Sequence, residues 1–277
     1  MLPDRLYLEL MFYYRIKSKL NLKNPRSFNE KLQWLKLYDR NPQYISLTDK
    51  YEVRKHVKEI IGSEYLIPLL GVWDSFEQID FFKLPNQFVL KCTHDSGGVI
   101  ICKNKEELDI EFTKKKLKEL LKKNYYYVGR EWPYKNIKPR IICEKYMVDE
   151  SGIELKDYKF LCFNGEPKII QVMSGRKNGN YYINHYDINW DRVEIHRKRC
   201  AENPKGIDKP AGLQTMIDIS RRLSRDIPFV RVDLYSTARQ ILFGEMTFYP
   251  VSGYMDFQDE RWDYKLGSWI ELPNKLG

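Results

Sequence analysis

Two segments late in the chain constrain it most: Pro228-Phe-Val-Arg-Val-Asp-Leu-Tyr235 and, after a short break, Ile241-Leu-Phe-Gly-Glu-Met-Thr-Phe-Tyr-Pro-Val-Ser-Gly253. Each reads as a strand, and the break between them is short enough for a hairpin. Arg231 and Asp233 alternate with Val230, Val232 and Leu234, so the two charged side chains share one face. An antiparallel return brings Glu245 and Thr247 beside Asp233. Converging carboxylates repel unless a cation lies between them, and hard oxygen ligands on rigid strands suit Mg²⁺ bridging a polyphosphate. Arg231 supplies compensating positive charge. The alternative is a charged outer face of an ordinary hairpin. On the metal reading, replacing Asp233 or Glu245 by its amide relieves repulsion and is expected to raise stability without metal.

The rest of the chain bounds the choice. With 277 residues, 43% hydrophobic and 31% charged, it can bury a core as one large or two closely joined domains. No apolar run reaches the ~18 residues of a membrane span. Asp4, Arg5 and Glu9 interrupt the apolar N-terminus, which argues against a secretory signal and for a cytoplasmic protein. Cys92, Cys102, Cys143, Cys162 and Cys200 form no CxxC pair and read as reduced thiols, mostly in the core. With four histidines, a zinc cluster is not expected. The net charge of +9 calls for an anionic partner: nucleotide, acidic polysaccharide, lipid phosphate or nucleic acid.

From the N-terminus, Leu2, Leu6, Leu10 and Tyr13 recur at helical spacing. This face is expected to dock on the main body, with a membrane surface as the alternative. Ser27-Phe-Asn-Glu30 is a capping box opening a helix through Tyr38. A second helix is expected from Thr48, with Val53, Val57, Ile60 and Ile61 on one face, Lys50 in its first turn and Gly62 as its stop. The stretch to Leu84 reads as irregular. Gln87 to Cys92 and Val99 to Cys102 read as strands joined by Thr93-His-Asp-Ser-Gly-Gly98, a small-residue loop able to lie over phosphates with Lys91 beside it. His94, Asp95 and Ser96 are neighbours in one loop and cannot readily form a hydrolase relay.

Residues 112–124 form a lysine-rich helix with Leu117, Leu120 and Leu121 as its buried stripe. The aromatic run Tyr125 to Tyr134 suits sugar stacking or packing between subdomains; no nucleic-acid module accompanies it, so no nucleic-acid partner is expected. Pro139 to Met147 reads as a strand running into a polar insert, Asp149 to Glu154. Asp157 to Phe163 and Pro167 to Met173 form a hairpin through Asn164-Gly165. Lys159 is costly to bury unpaired, and a phosphate would satisfy it.

In order along the chain, Asp49-Lys-Tyr51, Phe88 to Gly98, Tyr134-Lys-Asn-Ile-Lys-Pro-Arg140, Asp157-Tyr-Lys-Phe160, Arg231-Val-Asp233 and Gly244-Glu245 resemble the TupA-like ATP-grasp family of surface-polysaccharide gene clusters. The resemblance runs from about residue 25 to the C-terminus. It implies an α/β (α+β) ATP-grasp fold in which two lobes with antiparallel sheets clasp ATP, after a short helical N-terminal region. The expected division is 1–47 for that region, 48–138 for a small lobe with the phosphate-covering loop, and 139–277 for a large lobe with the adenine edge and metal site.

By resemblance, Lys50, Lys91, Lys159 and the loop Ser96, Gly97 and Gly98 would bind the ATP phosphates. Glu144, Lys145, Tyr146 and Met147 would line adenine, Asp233, Glu245 and Thr247 would hold Mg²⁺, and Arg231 would be catalytic. Thr247 stands where the superfamily has Asn. The implied activity is an ATP-dependent carboxylate-amine ligase working through an acyl phosphate, on a hexuronic acid or similar acid of a surface polysaccharide or its precursor. The implied partners are a carboxylate-bearing sugar, an amine, and peripheral contact with membrane-linked polysaccharide machinery. With fewer than about fifty residues before the Lys50 segment, acceptor recognition would fall to the aromatic run or to Tyr254 to Trp269. The rivals are a glycosyltransferase of capsule or O-antigen synthesis and a non-catalytic polyanion binder.

Overall fold

Period-two apolar patterns and short turns build two antiparallel sheets. The computed structural model describes residues 2–149, 155–175, 181–237 and 239–274. In chain order its helices are α1 (Asp4–Ile16), α2 (Phe28–Tyr38), α3 (Gln43–Thr48), α4 (Val53–Ile60), α5 (Ile110–Leu121), α6 (Tyr126–Gly129), α7 (Leu213–Leu223) and α8 (Arg261–Ser268). Its strands are β1 (Leu69–Trp73), β2 (Phe88–Cys92), β3 (Val99–Cys102), β4 (Ile141–Lys145), β5 (Asp157–Phe163), β6 (Glu166–Ser174), β7 (Tyr182–Tyr186), β8 (Phe229–Ser236) and β9 (Ile241–Thr247). Of the polar insert, residues 150–154 lie outside the described residues.

The chain forms two compact units, Pro42–Val148 and Met1–Asn41 with Asp149–Gly277. The smaller carries the sheet β1-β4-β2-β3, in which all pairs are antiparallel. Phe88, Leu90 and Cys92 alternate inward from β2 and join Ile100, Cys102, Ile141, Cys143 and Leu117 of α5 in one core. Strand β1 is a correction, because 63–84 reads as irregular from sequence; its pairing with β4 supplies the order that its short apolar run does not signal.

A further correction concerns Thr48, which ends α3 rather than opening a helix. The Asp49 carboxylate accepts from the backbone N–H groups of Tyr51 and Glu52, an Asx turn that competes with continuous helix. Lys50 therefore precedes α4 and donates its own N–H to the Thr93 carbonyl at 3.2 Å.

The larger unit carries the sheet β7-β6-β5-β8-β9, again antiparallel throughout. The β5–β6 hairpin turns through Asn164 (φ 50°) and Gly165 (φ 84°), the left-handed pair that an Asn-Gly turn requires. Helix α2 opens with the expected capping box: Ser27 Oγ accepts from Glu30 N at 3.2 Å and Glu30 Oε2 accepts from Ser27 N at 3.1 Å. Its Phe28 meets Phe229 of the sheet edge to face at 4.9 Å between centroids.

These packings correct the expected division of the chain. Strand β4 pairs with β1 and β2, so residues 139–148 belong with the smaller unit. Residues 1–41 join the C-terminal unit because α2 packs on α8, where Asn29 bonds Asp263 and the Met255 carbonyl. In α1, Leu8 and Phe12 are the buried residues. Leu2, Leu6, Leu10 and Tyr13, expected to dock, are exposed. The helix is apolar on two faces, and only one of them meets the protein.

Candidate functional site

The predicted residues fall into two groups, one in each unit. In the smaller unit, β2 and β4 run antiparallel with Val89 opposite Glu144, which puts Lys91 and Glu144 diagonally on one face. Lys91 Nζ donates to Glu144 Oε2 at 2.7 Å, and Arg54 Nη1 holds Oε1 at 3.1 Å while its Nη2 donates to the Ile67 carbonyl at 2.8 Å. Burial lowers the Arg54 pKa against the opposing pull of Glu144. Glu144 thus already answers two cations, where sequence reasoning gave Lys91 a phosphate alone. Lys145 N–H donates to the Pro68 carbonyl at 3.0 Å, and Tyr146 and Met147 follow beyond the strand.

Lys50 holds the small-residue loop: its Nζ donates to the Asp95 carbonyl and lies 3.7 Å from Asp95 Oδ1. Asp95 is buried, while Ser96 and Gly97 are exposed at the loop tip. Gly97 sits at φ 91°, a backbone region that disfavours side chains, and a Cβ on Gly98 would lie 1.9 Å from Asp95 Oδ2. Both glycines are thus required by local geometry. Arg140 braces the same region, bonding Asp49 at 2.9 Å and Glu52 at 2.7 Å.

In the larger unit, β5 and β8 set Lys159 opposite Asp233, and β8 and β9 set Asp233 opposite Glu245 and Arg231 opposite Thr247. A bulge follows Asp233, with Gly244 as the additional residue; a Cβ there would lie 3.0 Å from the Asp233 carbonyl oxygen. Arg231 grips Asp233 with both arms, Nε to Oδ1 at 2.6 Å and Nη2 to Oδ2 at 2.7 Å. The same Nη2 reaches Glu245 Oε1 at 3.1 Å and Thr247 Oγ1 at 3.0 Å, and Thr247 donates to Glu245 at 2.9 Å. Lys159 Nζ donates to Asp233 Oδ2 and lies 3.7 Å from Asp157 Oδ2.

Burial works against the Arg231 charge, yet Asp233, Glu245 and Asp157 together raise its pKa above the ordinary arginine value. Burial likewise pushes the Asp233 pKa up, opposed by Arg231 and Lys159. Two expectations are corrected here. Lys159 needs no phosphate to satisfy it, because two carboxylates already do. Nor does an amide at Asp233 relieve repulsion, because the Asp233 carboxylate is what buried Lys159 and half-buried Arg231 face.

Sequence reasoning left two members of these groups without roles. Asp157 shares a strand face with Lys159, a period-two signal inside a motif already noted. Arg54 lies four residues after Lys50, but nothing in its local sequence points at Glu144. Part of the aromatic run is occupied in packing: Tyr126 and Arg130 are buried, and Arg130 lies 5.4 Å from the ring centroids of both Tyr126 and the exposed Tyr127. Within Tyr254 to Trp269, Leu266 and Gly267 are buried in α8, and a Cβ on Gly267 would lie 2.3 Å from the Arg26 carbonyl oxygen.

A sequence profile of the TupA-like ATP-grasp family matches residues 30–271. The chain belongs to that family. Its two antiparallel sheets are those of the ATP-grasp fold. A search among curated proteins finds no match. Similar solved structures include D-alanine–D-alanine ligases from Bacillus anthracis and Helicobacter pylori. The first is 16% identical, with 73% of this chain and 57% of that chain covered and a TM-score of 0.41. The second is 15% identical, with 90% and 68% covered and a TM-score of 0.48. A phosphoribosylamine–glycine ligase from Thermotoga maritima is 14% identical, with 74% and 48% covered and a TM-score of 0.40. This ATP-grasp chain therefore spans 57% of the Bacillus anthracis enzyme. Among its described residues, no helix is long and apolar enough to cross a membrane.

Proposed function

We propose that this protein is an ATP-dependent ligase that joins a carboxylate to an amine. One observation carries the reading: in a chain of the ATP-grasp family, Asp233 and Glu245 oppose each other across β8 and β9 with Arg231 bonded to both. We assign Lys50, Lys91, Lys159 and the Ser96, Gly97 and Gly98 loop to the phosphates of ATP. Glu144 and the backbone from Lys145 to Met147 are assigned to adenine. For Lys91 and Lys159 this assignment entails exchanging carboxylate partners for phosphate oxygens.

The donor set of Asp233, Glu245 and Thr247 fits Mg²⁺. All are hard oxygen ligands on rigid strands, and three carboxylates, counting Asp157, outnumber the cations Lys159 and Arg231 around them. Bound there, Mg²⁺ would offset the charge of the polyphosphate. In the reaction, a carboxylate oxygen of the acid bonds to the γ-phosphorus of ATP and ADP departs. The amine nitrogen then bonds to the acyl carbon, phosphate leaves, and the nitrogen gives up a proton. The planar fork of Arg231 suits stabilisation of the negative charge that develops in both steps.

We further propose a hexuronic acid of a surface polysaccharide or its precursor as the acid, and the cytoplasm, where ATP is at hand, as the place of reaction. The family resemblance and the net charge of +9 support this choice. Incubation with ATP and a panel of uronic acids and amines, read by mass spectrometry, tests it. ADP release that requires both acid and amine is the expected result. Sugar transfer from a nucleotide sugar without ADP formation would replace the ligase by a glycosyltransferase. Lys91→Ala and Lys159→Ala should each weaken ATP binding by about 1.5–3 kcal/mol. Wild-type affinity by calorimetry in both variants would remove the phosphate role.

A further inference from the structure

Helix α1 presents to solvent an arc with no acidic residue. Leu6, Leu10, Tyr13 and Tyr14 fall within about 100° of one another at 100° per residue, exposed Leu2 precedes the helix, and Lys17 caps its C-terminal end in the left-handed conformation. Leu10 is 55% exposed, Tyr13 66% and Tyr14 65%, although the opposite face, through Leu8 and Phe12, is fully docked. The helix is therefore held in place by one apolar face while offering a second. A single exposed leucine needs no explanation, but a stripe running the length of a docked helix marks an interaction surface.

The charge around the stripe identifies its occupant. The ion pair Arg5–Glu9 borders one side. From the last turn of the helix onward come Arg15, Lys17, Lys19, Lys23 and Arg26, all exposed and with no acidic residue among them. The Lys17 ammonium nitrogen lies over the Tyr14 ring, 5.0 Å from its centroid, which puts a cation beside the exposed aromatic. Leucines backed by rim tyrosines and a basic flank match an interfacial helix on an anionic bilayer: the leucines enter the acyl boundary, the tyrosines sit at headgroup level and the basic run meets lipid phosphate. We infer that α1 is a peripheral docking helix for an anionic membrane surface.

Co-sedimentation of the full chain with vesicles tests this. Mixed phosphatidylcholine and phosphatidylglycerol vesicles should retain the protein, and phosphatidylcholine alone should retain much less. Added salt should weaken retention. Leu6→Asp with Leu10→Asp should lower partitioning at least about tenfold, since both leucines lose their transfer into the acyl boundary. Lys17→Glu with Lys19→Glu should lower it by about tenfold or more through charge alone. All four positions are exposed, so the circular dichroism spectrum should not change. The assay contains no nucleotide, so its outcome is independent of the ligase reading. Wild-type protein left in the supernatant of anionic vesicles would overturn the inference, as would unaltered retention of both double variants. If light scattering showed instead a dimer that the aspartate pair converts to monomer, with no vesicle retention, the face would be a contact between copies and the membrane role would fall.

Discussion

Asp233 shows how a single side chain divides two readings that its sequence context leaves open. Alternation along Pro228 to Tyr235 places Arg231 and Asp233 on one face, and the structure bears that out. What alternation could not reveal is the partner from β5: Lys159 reaches Asp233 because strands 74 residues apart pair in one register. Asp233→Asn should therefore destabilise the metal-free protein by about 1.5–3 kcal/mol, because buried Lys159 and half-buried Arg231 lose the counter-charge they share and keep only Asp157 and Glu245. Glu245→Gln should change stability by no more than about 1 kcal/mol, since that carboxylate is 41% exposed. Chemical denaturation of both variants with and without Mg²⁺ checks the contrast. Near-equal midpoints in the metal-free state would show that Asp233 is not the counter-charge of this cluster. On the proposed function both variants should lose ADP formation, so stability and activity separate the two carboxylates.

Elements were legible wherever one local signal was sufficient. The Asn164-Gly165 hairpin and the Ser27 box each carry their conformation within a few residues, and both formed as expected. Ser27→Ala should cost about 1 kcal/mol, read as a lower thermal midpoint with unchanged spectra, because the amide of Glu30 loses its acceptor. The expected helix at Thr48 failed because Asp49 turns the backbone, an effect that helical periodicity does not register. Strand β1 was missed because its order comes from β4, more than sixty residues onward. In α1 the periodicity was right and the face was wrong, since spacing cannot say which of two apolar stripes meets the core.

Across the whole molecule, acid stability should carry the signature of His185. Burial, with Arg197 adding to it, lowers the pKa of this residue of β7 to about 3. Between that value and the ordinary one near 6.5, the unfolded chain binds a proton that the native chain does not. Stability is then lost as pH falls through this window, by about 3 kcal/mol at pH 4. Asp233, held above its ordinary value, acts in the opposite direction. His185→Gln isolates the histidine: its denaturation midpoint should fall less steeply with acid than that of the parent. Parallel slopes would exclude the assignment. The division of the chain has a further consequence, for synthesis. Every strand of the smaller sheet has its partners by Lys145, whereas Asn29 reaches Asp263 only 234 residues later, about 12–47 s at ribosomal rates. During that interval the nascent chain can already have closed its inserted sheet while the first two helices still lack the segment on which they rest.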